Sequence, residues 1–172
     1  SHGSVIGTIF KGSIRRAEQD SESTFTIEAG DGDKAFKKGR VKKSLPAGTS
    51  SESIISTIMD SLNEKEVDQG KVTVESSKAE SRPVILDRPA RVELEDQARR
   101  TDSHWMILHG QAYFWPKNRA VKDTPILEIN GDNGIIDRPV LTESGVSFKM
   151  LLTPDLLSGH IFTFKPTPSK GR

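Results

Sequence analysis

Apolar and polar positions alternate from Val5 to Ile14, with Ile6, Thr8, Phe10 and Ile14 on one face. They alternate again from Glu22 to Ala29, where Phe25, Ile27 and Ala29 oppose Thr24, Thr26 and Glu28. A period of two marks β-strands, and the polar stretch Glu18–Ser21 between them predicts an antiparallel pair. Gly30-Asp31-Gly32-Asp33 closes the pair with residues that accept positive φ. A third, basic strand is expected to follow and to end at Lys43, Ser44 and Leu45, before Pro46.

The period then changes. Ile54, Ile55, Ile58, Met59 and Leu62 make one apolar stripe at helical spacing, and Thr49 with Glu52 matches a capping box. From Asn63 to Arg82 the chain is polar, with at most a short strand at Val72–Glu75. A second helix is expected near Asp87, with Pro89 in its first turn and Ala90, Leu94 and Ala98 on one face. Ser103–Leu108 and Gln111–Trp115 predict a hairpin across His109-Gly110, since both residues accept positive φ. Its parity groups Trp105 with Ile107 and Tyr113 with Trp115, an apolar surface that a helix or another subunit should cover. Strands return at Ile126–Ile129, Pro139–Thr142, Val146–Leu152 and Ile161–Phe164, with turns at Asp132-Asn133-Gly134 and Ser144-Gly145 and a tight Leu152–Leu156 loop.

Strands, then helices and a hairpin, then strands again predict an α+β protein. The expected architecture is a discontinuous antiparallel β-sheet or partial barrel from residues 5–45 and 124–165, with a small α/β lobe inserted at 46–123. Residues 1–4 read as an expression scar without signal-peptide character, and 166–172 as an unstructured tail.

Composition narrows the function classes. The 172 residues are 33% hydrophobic and 28% charged, so the core should be thin and spread over sheets. A net charge of +1 supplies no long-range field for polyanions. The absence of cysteine excludes disulfides and thiolate chemistry and fits synthesis in a cytoplasm. No apolar run approaches the roughly 18 residues of a spanning helix.

Candidate chemistry is sparse. Asp31 and Asp33 in a Gly-rich turn suggest calcium, but at EF-hand spacing the third ligand position is Ala35 and the closing one Lys42. On strand parity His104 and His109 point apart, and His160 lies elsewhere, so no metal set converges. Glu93, Glu95 and Asp96 read as a solvated helix face. No nucleophile elbow, phosphate loop or dinucleotide fingerprint occurs, and neither an enzymatic activity nor a cofactor is expected. Lys38, Arg40 and Lys42 would project together from a strand as a phosphate-facing stripe. With the aromatic hairpin, they make a small barrel binding single-stranded nucleic acid the alternative reading.

Several blocks carry a resemblance: FKGSI at Phe10–Ile14, TIEAGDGDKAF at Thr26–Phe36, LPAGTSSESIISTIMDSL at Leu45–Leu62, the helix and Trp-bearing hairpin from Ala90 to Pro116, and NGIIDRP followed by VSFKMLLTPDLLSGHIFTF. In this order they resemble the baseplate hub proteins of contractile-tailed phages. The last block, with its Gly-led turn, Pro strand and Leu-Leu-x-Pro-x-Leu corner, is the most specific. The resemblance implies a non-enzymatic virion protein of a phage, prophage or tail-like particle, made in the host cytoplasm. It implies a homotrimeric ring joining tail tube to spike, with DNA passing through the lumen, and it implies that this chain is a fragment. The residues expected to matter are structural. Phe148, Met150 and Leu152 should supply strand core, Leu151 and Leu156 should face a partner, and Gly134, Pro139, Pro154 and Gly159 should shape the terminal block.

Overall fold

The computed structural model describes residues 7, 10–21, 24–121, 126–130, 134–143 and 145–165. The expected scar at 1–4, the tail at 166–172 and most of the Asp132-Asn133-Gly134 turn lie outside the described residues. The chain divides into two compact units, Phe10–Lys122 and a second made of Ser1–Ile9 with Asp123–Arg172. Each is mixed α+β or β, with several small, mostly antiparallel sheets, none of which closes into a barrel among the described residues.

The larger unit runs β1 (Ser13–Ser21), β2 (Thr24–Gly30), α1 (Asp33–Lys38), β3 (Lys43–Leu45), α2 (Ser51–Asp60), a 3-10 turn (Asn63–Lys65), β4 (Asp68–Val72), β5 (Val84–Leu86), α3 (Ala90–Arg100), β6 (Ser103–Leu108) and β7 (Gln111–Pro116). Its largest sheet has the order β4-β7-β6, with β4 parallel and β6 antiparallel to β7. The stripe Ile54, Ile55, Ile58, Met59 and Leu62 meets Ala90, Leu94 and Ala98 of α3 and Ala112 and Phe114 of β7 in one buried core. Trp105 and Ile107 pack against it from β6 on the face they share with Phe114 and Ala112, whereas Tyr113 and Trp115 lie on the opposite face of the hairpin, paired with Met106 and His104. His109 (φ 53°) and Gly110 (φ 78°) turn the hairpin.

Two local expectations shift. The cap of α2 is Ser50, whose Oγ accepts from Ser53 N at 3.2 Å, while Thr49 Oγ1 donates to the Pro46 carbonyl at 2.7 Å. Thr49 is spent on the preceding turn, which leaves the next hydroxyl to cap. The basic third strand is replaced over Asp33–Lys38 by α1. Gly32 in left-handed geometry turns the chain, Asp33 sits at the helix's positive end, Lys37 and Lys38 sit at its negative end, and Lys37 pairs with Asp33 at 3.0 Å.

The second unit runs β8 (Leu127–Ile129), β9 (Val140–Thr142), β10 (Gly145–Ser147) and β11 (Phe162–Phe164). β9 and β10 form a hairpin, whereas β8 and β11 pair in parallel. The discontinuous sheet expected from 5–45 and 124–165 is not formed among the described residues. β1 and β2 pair with one another, and β8–β11 pair among themselves. The division of the chain also falls elsewhere, since Phe10–Leu45 belongs with the α/β elements. The Gly32 turn and the docking of α1 commit the β1–β2 base to that core. The terminal strands, three residues each, offer little edge to share.

Candidate assembly surfaces

In the β1–β2 ribbon, Arg16 lies opposite Glu28, Ala17 opposite Ile27, Glu18 opposite Thr26 and Gln19 opposite Phe25. Paired residues share a face, so Arg16, Glu18, Thr26 and Glu28 form a polar side. The register slips by one residue at Arg15, a β-bulge that returns Ile14 opposite Ala29. Without it Ile14 would join the charged face. With it, Ile14, Ala17, Phe25, Ile27 and Ala29 make one side that is apolar but for Gln19. That side is uncovered, with Ile14, Phe25 and Ile27 at 67%, 68% and 61% exposure. Among the described residues the ribbon has two strands, and no third strand pairs with either outer edge.

The ribbon's base is anchored. The Asp31 carboxylate accepts the backbone N–H groups of His109 and Gly110, the latter at 3.1 Å. Asp33 receives Arg15 and Lys37. The two acids of the Gly-rich turn are thus occupied by protein donors. The Arg15 hydrogen bond, then that from Lys37, holds the Asp33 carboxyl below its ordinary value near 3.8.

A second edge with no neighbouring strand among the described residues lies at β5. Its ladder with β3 keeps one register from Arg40↔Pro89 through Ser44↔Ile85 to Ser50↔Ala79. Val41 N donates to Arg88 O, Ala90 N to Gly39 O and Glu80 N to Thr49 O, so hydrogen-bonded pairs alternate, and Ser44↔Ile85 falls between them. The N–H and C=O of Ile85 therefore point away from β3, and its side chain is 77% exposed. Beside this edge a cleft of about 560 Å³ separates β5 from α3, with Asp96, Arg99 and Arg100 on its helical wall.

The corner between β5 and α3 is held by charge. Arg88 Nε and Nη2 donate to the two oxygens of Glu93 at 2.9 and 2.8 Å, and Nη2 also reaches Asp96 at 2.6 Å. Glu93 is buried, not part of a solvated face; only Glu95 is fully exposed there. Arg88, ahead of burial's opposing effect, lowers the Asp96 carboxyl, and Lys165 does the same to Glu128 in the second unit. Because the folded values of Asp33, Asp96 and Glu128 lie below their unfolded ones near 3.8 and 4.5, their contribution is complete above those values and disappears as pH falls through the folded ones. The melting temperature is expected to hold from pH 7 to about 5 and to decline below about pH 4. Asp33→Asn should flatten part of that decline; a melting profile as steep in the variant would remove Asp33 from the account.

The phosphate-facing stripe is built only in part. Lys38 ends α1 and leaves the stripe, while Arg40, paired with Asp87 at 3.4 Å, and Lys42 stand two residues apart on the extended ladder that leads into β3, so two of the three cations remain together. The aromatic platform is likewise engaged. Phe36 stacks on Trp105 with centroids 6.1 Å apart, and Arg91 lies 5.4 Å from the Phe36 centroid. Trp115 is buried, with His104 tilted against it at 5.8 Å.

In the terminal block, Phe148 meets Phe162 and Phe164 at 5.5 and 5.1 Å in a three-ring cluster. Met150 is half-buried and bridges Ile135, while Leu151 N donates to the Gly134 carbonyl at 2.7 Å. Gly134 (φ 97°) takes a conformation that favours glycine, and an added Cβ would press on Leu151 at 3.2 Å. Leu152 does not join the core: it is 80% exposed, because the expected strand from Val146 breaks after Ser147 to bring Phe148 inward. Leu151 is exposed and Leu156 half-buried; Pro139 is exposed at the start of β9, while Pro154 and Gly159 sit in turns. Phe148→Ala should cost about 1–2 kcal/mol, less than a fully buried ring, since Phe148 is half-buried. Calorimetric unfolding reads this, and an unchanged profile would put Phe148 outside the cluster's energetics.

Ile85, the Arg15 bulge and the buried Glu93 were not anticipated. The spacing of Ile14 and Ala17 around an Arg doublet signals the bulge. Ile85 carries no signal, because an outward apolar residue in a short strand resembles an inward one. No family model matches the chain, and no curated protein is significantly similar to it.

Proposed function

We propose that the chain is a structural component of a contractile-tail baseplate hub, forming a ring that links tail tube to spike. The observation that carries this reading is the β1–β2 ribbon, with one apolar side uncovered at Ile14, Phe25 and Ile27. A two-stranded ribbon is marginal alone in water, and such a side is stabilised by covering it. The ordered sequence blocks supply the kind of assembly: a homotrimeric ring in the virion, in contact with tube and spike proteins, around a lumen that passes DNA. The shared sheet is no part of the support. The nucleic-acid alternative is not favoured, since its stripe is reduced to Arg40 and Lys42 and its rings are engaged within the chain.

Mass spectrometry of purified tail particles should find the polypeptide, and deleting its gene should yield tubes without an assembled baseplate. Complete, infective tails lacking the polypeptide would overturn the reading.

A further inference from the structure

We infer that the β1–β2 ribbon of one copy adds, through its β2 edge, to the open β5 edge of a second copy, so that copies join head to tail. This deepens the ring reading and rests on it for the assembly's role. The two surfaces answer one another. The ribbon offers Phe25 and Ile27 on an edge strand, and β5 offers the outward N–H, C=O and exposed side chain of Ile85. A cleft of about 560 Å³ flanks that edge, giving an added strand room between β5 and α3.

Charge agrees. Among the described side chains, the polar side of the ribbon carries Glu18 and Glu28 against Arg16. The cleft and its rim carry Arg88, Arg99 and Arg100 against Glu93, Asp96 and Glu80, a balanced set whose arginines are the groups that Glu18 and Glu28 would meet. Arg99 and Arg100 are themselves 73% and 54% exposed, although their partners Asp96 and Glu80 are only 28% and 26% exposed, and such long cations at a surface can turn to a new carboxylate. Donor and acceptor are different surfaces, so the contact is heterologous and repeats until a rotation closes it into a ring.

The ladder register supplies a selective variant. Ile85 N–H takes no part in pairing with β3, so Ile85→Pro removes a donor from the open edge while leaving the β3–β5 bonds in place. Phe25→Asp with Ile27→Asp disables the ribbon. Sedimentation of the whole chain is expected to show species heavier than monomer, and each variant alone should lose them. An equimolar mixture should recover one species at twice the 18.9 kDa of a chain and nothing larger, because one sound ribbon meets one sound edge. Tryptophan emission like that of the parent chain certifies folding. Should Ile85→Pro fail that check, Ile85→Lys, altered only at an exposed side chain, takes its place.

A mixture that stays monomeric, an edge variant that assembles like the parent, or a parent chain that is monomeric at high concentration would overturn the joint. The hub reading is tested apart from it. Polypeptide found in tails with a monomeric mixture sinks the joint alone. Heterodimers from the mixture, with complete tails lacking the polypeptide, sink the hub role and leave the joint standing.

Discussion

Phe114→Ala is expected to destabilise the Phe10–Lys122 unit by about 3–5 kcal/mol, a large share of what holds a domain of this size together. Phe114 is essentially inaccessible to solvent and lies at the centre of β7, opposite Trp105 on β6. Beneath it are the apolar stripes of α2 and α3, and Val72 of β4 pairs with it from the other side. A ring held on three sides by regular elements leaves a cavity that its neighbours cannot close without moving a helix or a strand, so the transfer and cavity penalties add. Phe114→Leu, which keeps most of the volume, should cost substantially less. Both tryptophans, Trp105 and Trp115, lie in this hairpin, so their emission in a urea titration reports the transition directly. A midpoint within about 0.5 kcal/mol of the parent's would mean that the sheet does not close this core.

That core was legible in the chain. The α2 stripe, the α3 triplet Ala90, Leu94 and Ala98, and the His109-Gly110 hairpin each carry a periodic or positional signal that survives folding, because each is decided within ten to fifteen residues. The places where reading failed are decided at longer range. Lys34 to Lys38 looks like a basic strand until the Gly32 turn and the Asp33–Lys37 pair are weighed together, and a short helix then satisfies the same residues. Val146 to Leu152 alternates well enough for a strand, yet Phe148 gains more by meeting Phe162 and Phe164 than by continuing the ladder. Pairing between strands was the least readable of all. Alternation says which way a side chain faces, and says nothing of which strand lies beside it. The two ends of the chain were therefore expected in one sheet, and β1 and β2 instead pair with each other.

The candidate surface was half legible. Phe25, Ile27 and Ala29 fall on one side as the alternation requires, whereas Ile14 reaches that side only through the bulge at Arg15. Burial alone separates an apolar strand face that is core from one that awaits a partner, and burial is a property of the fold. A proposed role in assembly consequently draws on two independent things: the order of sequence blocks, which suggests the kind of particle, and the uncovered ribbon, which suggests how copies meet.

The ribbon can act as an arm only if its base is rigid, and Asp31 is the residue that makes it so. His109 and Gly110 both adopt positive φ, which turns their two N–H groups toward one point, a backbone nest suited to an anion. The Asp31 carboxylate fills it from a position 78 residues away in sequence, with one oxygen on each donor. Asp31→Ala leaves two partly buried donors without their acceptor and is expected to cost about 2–4 kcal/mol, allowing for partial access of water to the turn. Asp31→Asn keeps one acceptor oxygen and should recover roughly half of that loss. Amide exchange at His109 and Gly110 should quicken in the alanine variant by more than elsewhere in β6 and β7, since the turn loses its tether while the hairpin ladder remains. An alanine variant matching the parent in both urea midpoint and exchange at these two amides would detach the ribbon from the hairpin, and with it the idea of a fixed arm.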